Sequence, residues 1–228
     1  LEDDNSEETK AWVAAQNKVT DDYLATIPFR NNIKKRLEEL WNYPKYSSPF
    51  KEGEYYYFFK NGGLQNQSVA YRQMGLDGSP EVFLDPNKLS DDGTAALAGI
   101  SFSKTSKYLV YSVSQSGSDW QTGYIMDVKT KEKTGEQLNW LKFTGFSWKG
   151  DDGFYYSRYP EPKEGDELKG KNESSKVYYH QLGTTQTEDV LIYEDKEHPL
   201  RFVGVGLTED ERFLILSTSE GTSGSEIW

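Results

Sequence analysis

The chain contains no cysteine and only two histidines, His180 and His198. The missing thiols exclude disulfides, thiolate chemistry and cysteine-based zinc sites, and they leave the redox compartment undetermined. Two histidines leave little room for imidazole-dependent catalysis. Long apolar runs are absent too: no uncharged stretch approaches the ~18–20 residues that a membrane helix needs, so no membrane association is expected. Positive charge is scarce. Lys and Arg total 26 against 37 Asp and Glu, a net charge of −11, so there is no electrostatic footprint for nucleic acid. The one basic cluster, Lys34-Lys35-Arg36, runs into Glu38 and Glu39 and reads as a helix face.

What the chain does have is aromatic mass. Hydrophobic residues make up only 35%, yet 16 Tyr, 11 Phe and 6 Trp raise the aromatic share to 14%. Each such ring buries roughly 150–250 Å², so a few large side chains suffice for a core, and disorder is not expected despite the polar composition. At 228 residues the length suits one large domain or two small ones.

Two regimes follow one another along the chain. Residues 5 to 43 carry a helical period. Asn5 and Glu8 have capping-box spacing, and Trp12, Gln16, Val19 and Tyr23 recur at helical intervals until Pro28. A second helix is predicted from Asn31 or Asn32, with Ile33, Leu37, Leu40 and Trp41 as its stripe and Pro44 as its stop. The plain reading is two packed helices without chemistry. Beyond Pro44 come short aromatic and β-branched runs separated by turns, such as Glu54 to Lys60, Tyr108 to Val113, Phe154 to Tyr156 and Val177 to Leu182.

The strand region repeats. Phe102 and Tyr108, Trp148 and Phe154, and Leu207 and Phe213 are each six apart around a polar turn, and Pro49 with Tyr55 gives a weaker first copy. The anchors at 49, 102, 148 and 207 are spaced by 53, 46 and 59 residues, the range of β-propeller blades. The longest interval holds an insertion, Glu161 to Ser175, rich in Pro, Gly, Lys and Glu, which reads as a mobile surface loop. An incomplete propeller leaves sheet faces and edges open, and position 1 is not Met, so the chain is expected to be a piece of a longer protein.

Several stretches carry a resemblance. They include Leu1-Glu-Asp-Asp4, Glu8-Thr-Lys-Ala-Trp-Val13, Trp41-Asn-Tyr-Pro-Lys-Tyr46, Gly63-Leu-Gln-Asn-Gln-Ser68, Leu84-Asp-Pro-Asn87, Ser116-Gly-Ser-Asp-Trp120, Phe154-Tyr-Tyr-Ser-Arg-Tyr-Pro160 and Glu188-Asp-Val190. In order along nearly the whole chain, they resemble the N-terminal part of prolyl oligopeptidases, serine peptidases of the α/β-hydrolase class. The resemblance implies an enzyme that cleaves short peptides on the carboxyl side of proline. It implies that residues 1–44 belong with the peptidase domain. Residues 45–228 would form blades one to three and the start of the fourth, about three and a half of seven. The expected fold is therefore mainly β, an incomplete propeller preceded by two helices of an α/β-hydrolase domain. The partners implied are short proline-containing peptides and the remainder of the peptidase chain, with no cofactor or metal. By family default the compartment is cytoplasmic. A periplasmic or secreted one stays open, because the native N-terminus is expected to be missing.

No catalytic residue is expected in this segment. The G-x-S-x-G elbow is absent: Gly145-Phe-Ser147 continues into Trp148, and Ser223 lies in Gly221-Thr-Ser-Gly224. The resemblance puts Phe143 at a substrate-facing position of the propeller and Phe202 at a second one, and Asp119 and Trp120 at the domain interface. Without the resemblance, Phe143 reads as a core residue. The acidic group Glu2, Asp3, Asp4, Glu7 and Glu8 lacks the loop pattern of a calcium site and suits a helix start. The alternative is a non-catalytic β-propeller module for peptide or carbohydrate, gripping its ligand with Trp120, Trp140 and Trp148.

Overall fold

The computed structural model describes residues 3, 6–222 and 224–228. Two helices open the chain, α1 (Glu7–Ala25) and α2 (Arg30–Trp41). Asn5 of the expected capping box lies outside the described residues. The cap is supplied by Ser6, whose hydroxyl accepts from the Thr9 N–H at 3.2 Å, and Glu7 and Glu8 sit in the first turn where the dipole favours them. The basic cluster is balanced along its own helix: Arg36 meets Glu39 at 3.3 Å and Lys34 meets Glu38 at 3.9 Å. The helical period is as expected, but the packing is not. Apart from Thr9 no residue of either helix is buried, and Trp12, Val19, Tyr23, Ile33, Leu37, Leu40 and Trp41 all face solvent.

Every later element is a strand or a short turn of helix. The first sheet comprises β1 (Lys45–Tyr46), β2 (Phe50–Glu52), β3 (Tyr55–Asn61), β4 (Val69–Met74) and β5 (Glu81–Leu84). The second holds β6 (Ala95–Phe102), β7 (Tyr108–Gln115), β8 (Gln121–Asp127) and β9 (Lys133–Leu141). The third holds β10 (Phe146–Lys149), β11 (Gly153–Arg158), β12 (Lys176–Gln181) and β13 (Val190–Glu194). The fourth holds β14 (Phe202–Leu207), β15 (Leu214–Ser219) and β16 (Glu226–Ile227). The last three sheets are antiparallel meanders in chain order. The six-residue repeat marks their first hairpins: Phe102 pairs with Leu109, Trp148 with Phe154, and Leu207 with Leu214.

By internal contacts the chain divides into two compact units. One runs to Lys45 and includes Asn61–Gln65; the other holds Tyr46–Lys60 and Asn66–Trp228. In the first unit Lys45 donates to the carbonyls of Trp41 at 2.8 Å and Gly63 at 3.0 Å. In the second unit the core lies between sheets. Leu109, Tyr111 and Val113 of β7 pack with Tyr57, Ala70 and Phe83 of the first sheet. Val110 of the same strand turns the other way, joining Ile125, Leu138 and Leu141 against Trp148, Phe154 and Tyr156 of the third sheet. A strand covered on both faces is apolar nearly throughout, and this is why Leu109-Val-Tyr-Ser-Val113, with Ser112 its one polar residue, lacks polar alternation. Polar links tie the sheets as well. Trp148 Nε1 donates to the Ser101 carbonyl at 3.1 Å, and the Leu207 N–H donates to Ser147 Oγ at 2.8 Å.

Candidate functional site

The loop between β7 and β8 and the exit of β9 build the site. Ser116 and Gly117 take positive φ, 51° and 74°, which turns the chain tightly, and the Trp120 N–H donates to Ser118 Oγ at 3.1 Å. This sets Asp119 and Trp120 at the start of β8. Gln121 pairs with Leu141 across the ladder, so Lys142 emerges beside Trp120. Its ammonium lies 4.7 Å from the Trp120 ring centroid, 5.6 Å from that of Phe143 and 3.8 Å from Asp119 Oδ2. Lys142 is only 9% exposed. A buried ammonium is costly to desolvate, and two ring faces with a carboxylate are what offset that cost here, each cation–π contact contributing ~0.5–2 kcal/mol.

Phe143 follows with φ +53°, a conformation rare for an aromatic residue, and its ring is 54% exposed. It meets Phe202, the first residue of β14, edge to face at 5.7 Å, and Phe202 is 39% exposed. The structure thus brings Asp119, Trp120, Phe143 and Phe202 to one place with Lys142 among them. Phe143 is not in the core. Behind them Trp120 meets Trp140 at 5.6 Å and Tyr159 at 6.2 Å, both nearly perpendicular. Burial pushes the Tyr159 phenol up. Trp120 Nε1 donates to the Glu167 carbonyl at 2.6 Å, and the Ser174 N–H donates to the Pro199 carbonyl at 2.6 Å, so the insertion from Glu161 to Ser175 is tethered at two points. Trp148, the third tryptophan of the binding-module reading, is 8% exposed and belongs to the core, apart from the other two.

The histidines lie elsewhere. His180 is fully buried, its Nδ1 2.7 Å from Asp189 Oδ1, while the Tyr156 hydroxyl donates to Asp189 Oδ2 at 2.5 Å. Burial, with the Asp189 bond second, holds that phenol far above its ordinary range. His180 Nε2 has no partner and is closed off by core side chains such as Phe154, at 5.3 Å between rings. The pair has the carboxylate–imidazole half of a catalytic triad, but among the described residues no nucleophile meets it. His198 is in a turn, 3.0 Å from Asp195. Ser147 Oγ is taken by the Leu207 N–H, and Ser223 lies outside the described residues. Among the described residues, no cluster of three His, Asp or Glu side chains could hold a metal ion, and no helix is long and apolar enough to cross a membrane. What this arrangement offers is an aromatic surface with one buried cation and one exposed carboxylate, suited to contact rather than to bond cleavage.

The profile of the family described as "Prolyl oligopeptidase, N-terminal beta-propeller domain" matches residues 1–228. The chain belongs to the prolyl oligopeptidase family. It is 50% identical to the prolyl endopeptidase of Elizabethkingia meningoseptica and 51% identical to that of Elizabethkingia miricola, in each case over the whole chain and 32% of the relative. Among solved structures it is similar to prolyl oligopeptidase B from Galerina marginata bound to a 25mer macrocyclization substrate. That match has a TM-score of 0.88 at 30% identity, over 99% of this chain and 34% of the other. The chain spans about a third of the length of the curated relatives it matches. The matched region is the family's N-terminal propeller region. Sequence reasoning reached Asp119, Phe143 and Phe202 only through this resemblance, and Trp120 through it and through the binding-module alternative. It gave no role to Lys142 or Tyr159 and met Trp140 only in the binding-module alternative; the one local signal for Lys142 was the run Trp140-Leu-Lys-Phe143, a lysine between aromatics.

Proposed function

We propose that the chain serves a serine peptidase that hydrolyses short peptides on the carboxyl side of proline, and that its part is to wall and gate the substrate space. In this reading the four sheets are blades one to three and the start of the fourth of a seven-bladed propeller, residues 45–228. Residues 1–44 belong with an α/β-hydrolase domain, which covers the apolar stripes of α1 and α2. The compartment follows the family default, the cytoplasm. One observation carries the proposal. Phe143 and Phe202, far apart in sequence, meet edge to face and remain exposed, which suits them to contact an apolar residue of the peptide next to proline. Asp119 and Trp120, at the other side of Lys142, face the peptidase domain.

The test is an assay of the full-length protein on blocked peptides with one internal proline. Cleavage is expected on the carboxyl side of that proline. Phe143→Ala and Phe202→Ala are expected to raise KM roughly tenfold for peptides with an apolar residue upstream of it, the range of one apolar contact, and to leave glycine-bearing peptides nearly unchanged. A folded full-length protein that cuts elsewhere, or not at all, overturns the reading.

A further inference from the structure

At Trp120 the second unit opens a cleft of about 520 Å³, lined by Gln115, Trp120, Gln121, Asn139, Trp140 and Glu161 among others. We propose that this cleft is a second binding site, one that holds an extended, proline-containing segment of a peptide away from the bond being cut. The identity of the ligand rests on the peptidase reading above; the existence of the site rests on the cleft itself.

Its volume is that of a small-ligand pocket. Its walls suit proline. Trp120 and Trp140 stand at 89° to each other with centroids 5.6 Å apart, which makes a rigid corner of two flat faces. Proline rings dock on such faces, and a proline-rich chain arrives already extended, so little conformational entropy is lost on binding. That chain makes no hydrogen bonds of its own and presents its carbonyls outward. Gln115 and Gln121 match this need, because their side-chain amides have no partner among the described residues. Glu161 has no cationic partner among the described residues, which favours a lysine or arginine within the segment.

The backbone points the same way. Trp140 sits at φ +59°, a left-handed conformation that costs a bulky residue ~1–3 kcal/mol and persists only where surrounding structure enforces it. The enforcing contacts are the Trp120 ring and the hydrogen bond from the Tyr159 N–H to the Trp140 carbonyl at 3.3 Å, with the Tyr159 ring packed in turn on Trp120. They hold the Trp140 indole against Trp120. Trp120 is shared with the first site, its ring contacted by the Lys142 ammonium at 4.7 Å.

Two competitors are weaker. A larger cleft of about 660 Å³, lined by Tyr108, Thr134, Glu136 and Thr184 among others, has one carboxylate, and that carboxylate is already bound to the Gly183 N–H and the Thr134 hydroxyl. A carbohydrate platform loses Trp148 to the core, and its two remaining indoles are perpendicular rather than coplanar.

The experiment measures calorimetric binding of acetyl-Lys-Pro-Pro-Gly-Pro-Pro-amide to the full-length protein with its nucleophile blocked by a fluorophosphonate. Trp140→Ala and Gln121→Ala are expected to weaken binding about tenfold, as truncation of an interface anchor does, and Glu161→Gln to weaken it severalfold. Thr184→Ala, in the larger cleft, is expected to leave it unchanged. Gln121 and Glu161 are at the rim, so these variants report even if Trp140→Ala fails to fold. The proposal is overturned if the peptide does not bind, if Gln121→Ala and Glu161→Gln leave its affinity intact, or if maltohexaose binds in its place with the same dependence on Gln121. A protein that does not cut after proline but binds the peptide through this cleft, tested without the block, loses the peptidase reading and keeps the site.

Discussion

Tyr57 and Tyr111 show what the aromatic surplus does residue by residue. Both are fully buried between the first and second sheets, and burial pushes each phenol up to about 12. Unfolded phenols ionise near 10. The folded state therefore disfavours the phenolate: the stability this contributes is whole below pH 10 and is lost as pH rises from 10 toward 12. A spectrophotometric titration should show a fraction of the 16 tyrosines ionising late, together with loss of near-ultraviolet circular dichroism. Tyr57→Phe and Tyr111→Phe should shrink that alkaline transition. Titration of every tyrosine near pH 10 with the fold intact would contradict the burial. That such rings form the core was legible from composition. The burial of Arg72 and Lys142 was not. Arg72 is 3% exposed, bonded to Glu81 at 2.6 Å and lying 4.5 Å from the Tyr55 ring, and in sequence it is merely the polar end of a strand. A charge's burial depends on partners far along the chain, which no local pattern encodes.

Among the elements, the hairpins were readable and the outer strands less so. The six-residue spacing found the turns at 102–108, 148–154 and 207–213 because each joins two apolar anchors across a polar turn. Strands β6, β9 and β14 escaped notice. Ala95-Ala-Leu-Ala-Gly99, Lys133-Thr-Gly-Glu-Gln137 and Val203-Gly-Val-Gly206 are small or polar, and they are extended because neighbouring strands bind their backbones, not through their own propensity. Turn geometry sets the tightest local requirement. At Gly153, where β11 leaves its hairpin, a methyl group would lie 2.2 Å from the His180 carbonyl and 2.6 Å from the Tyr179 hydroxyl. Gly153→Ala must therefore push β11 and β12 apart, and it is expected to destabilise the protein by ~1–3 kcal/mol, the usual cost of overpacking. Gly145, with no heavy atom within 4 Å of such a methyl, is the control. Gly145→Ala is expected to leave the melting temperature unchanged or slightly raised. Equal melting temperatures for both variants would show that the β11–β12 register tolerates what its geometry forbids.

Across the second unit the sheets pack in series, so each sheet depends on having a neighbour on both faces. The second sheet has two, and its β7 is apolar on both sides. The fourth has only one: Phe213, Ile215, Ile227 and Trp228 stay exposed, the last two at 75% and 66%. The helices of the first unit likewise leave Trp12, Val19, Ile33 and Trp41 uncovered. Apolar surface of this kind, together with open strand edges, drives association. The 228-residue chain on its own is therefore expected to grow in mass with concentration in light scattering, whereas the full-length protein keeps a constant mass. Ile215→Lys and Ile227→Lys, on the exposed face and edge of the fourth sheet, should reduce that growth, while Val110→Lys in the shared core should prevent folding, because an unpaired charge there has no partner. The same chain is expected to hydrolyse no peptide, since the imidazole of its buried His180–Asp189 pair meets no nucleophile among the described residues. A 228-residue chain that stays monomeric at every concentration and unfolds in one sharp transition would show that the fourth sheet needs no further neighbour, and stability could then not be a nearest-neighbour sum along the sheets.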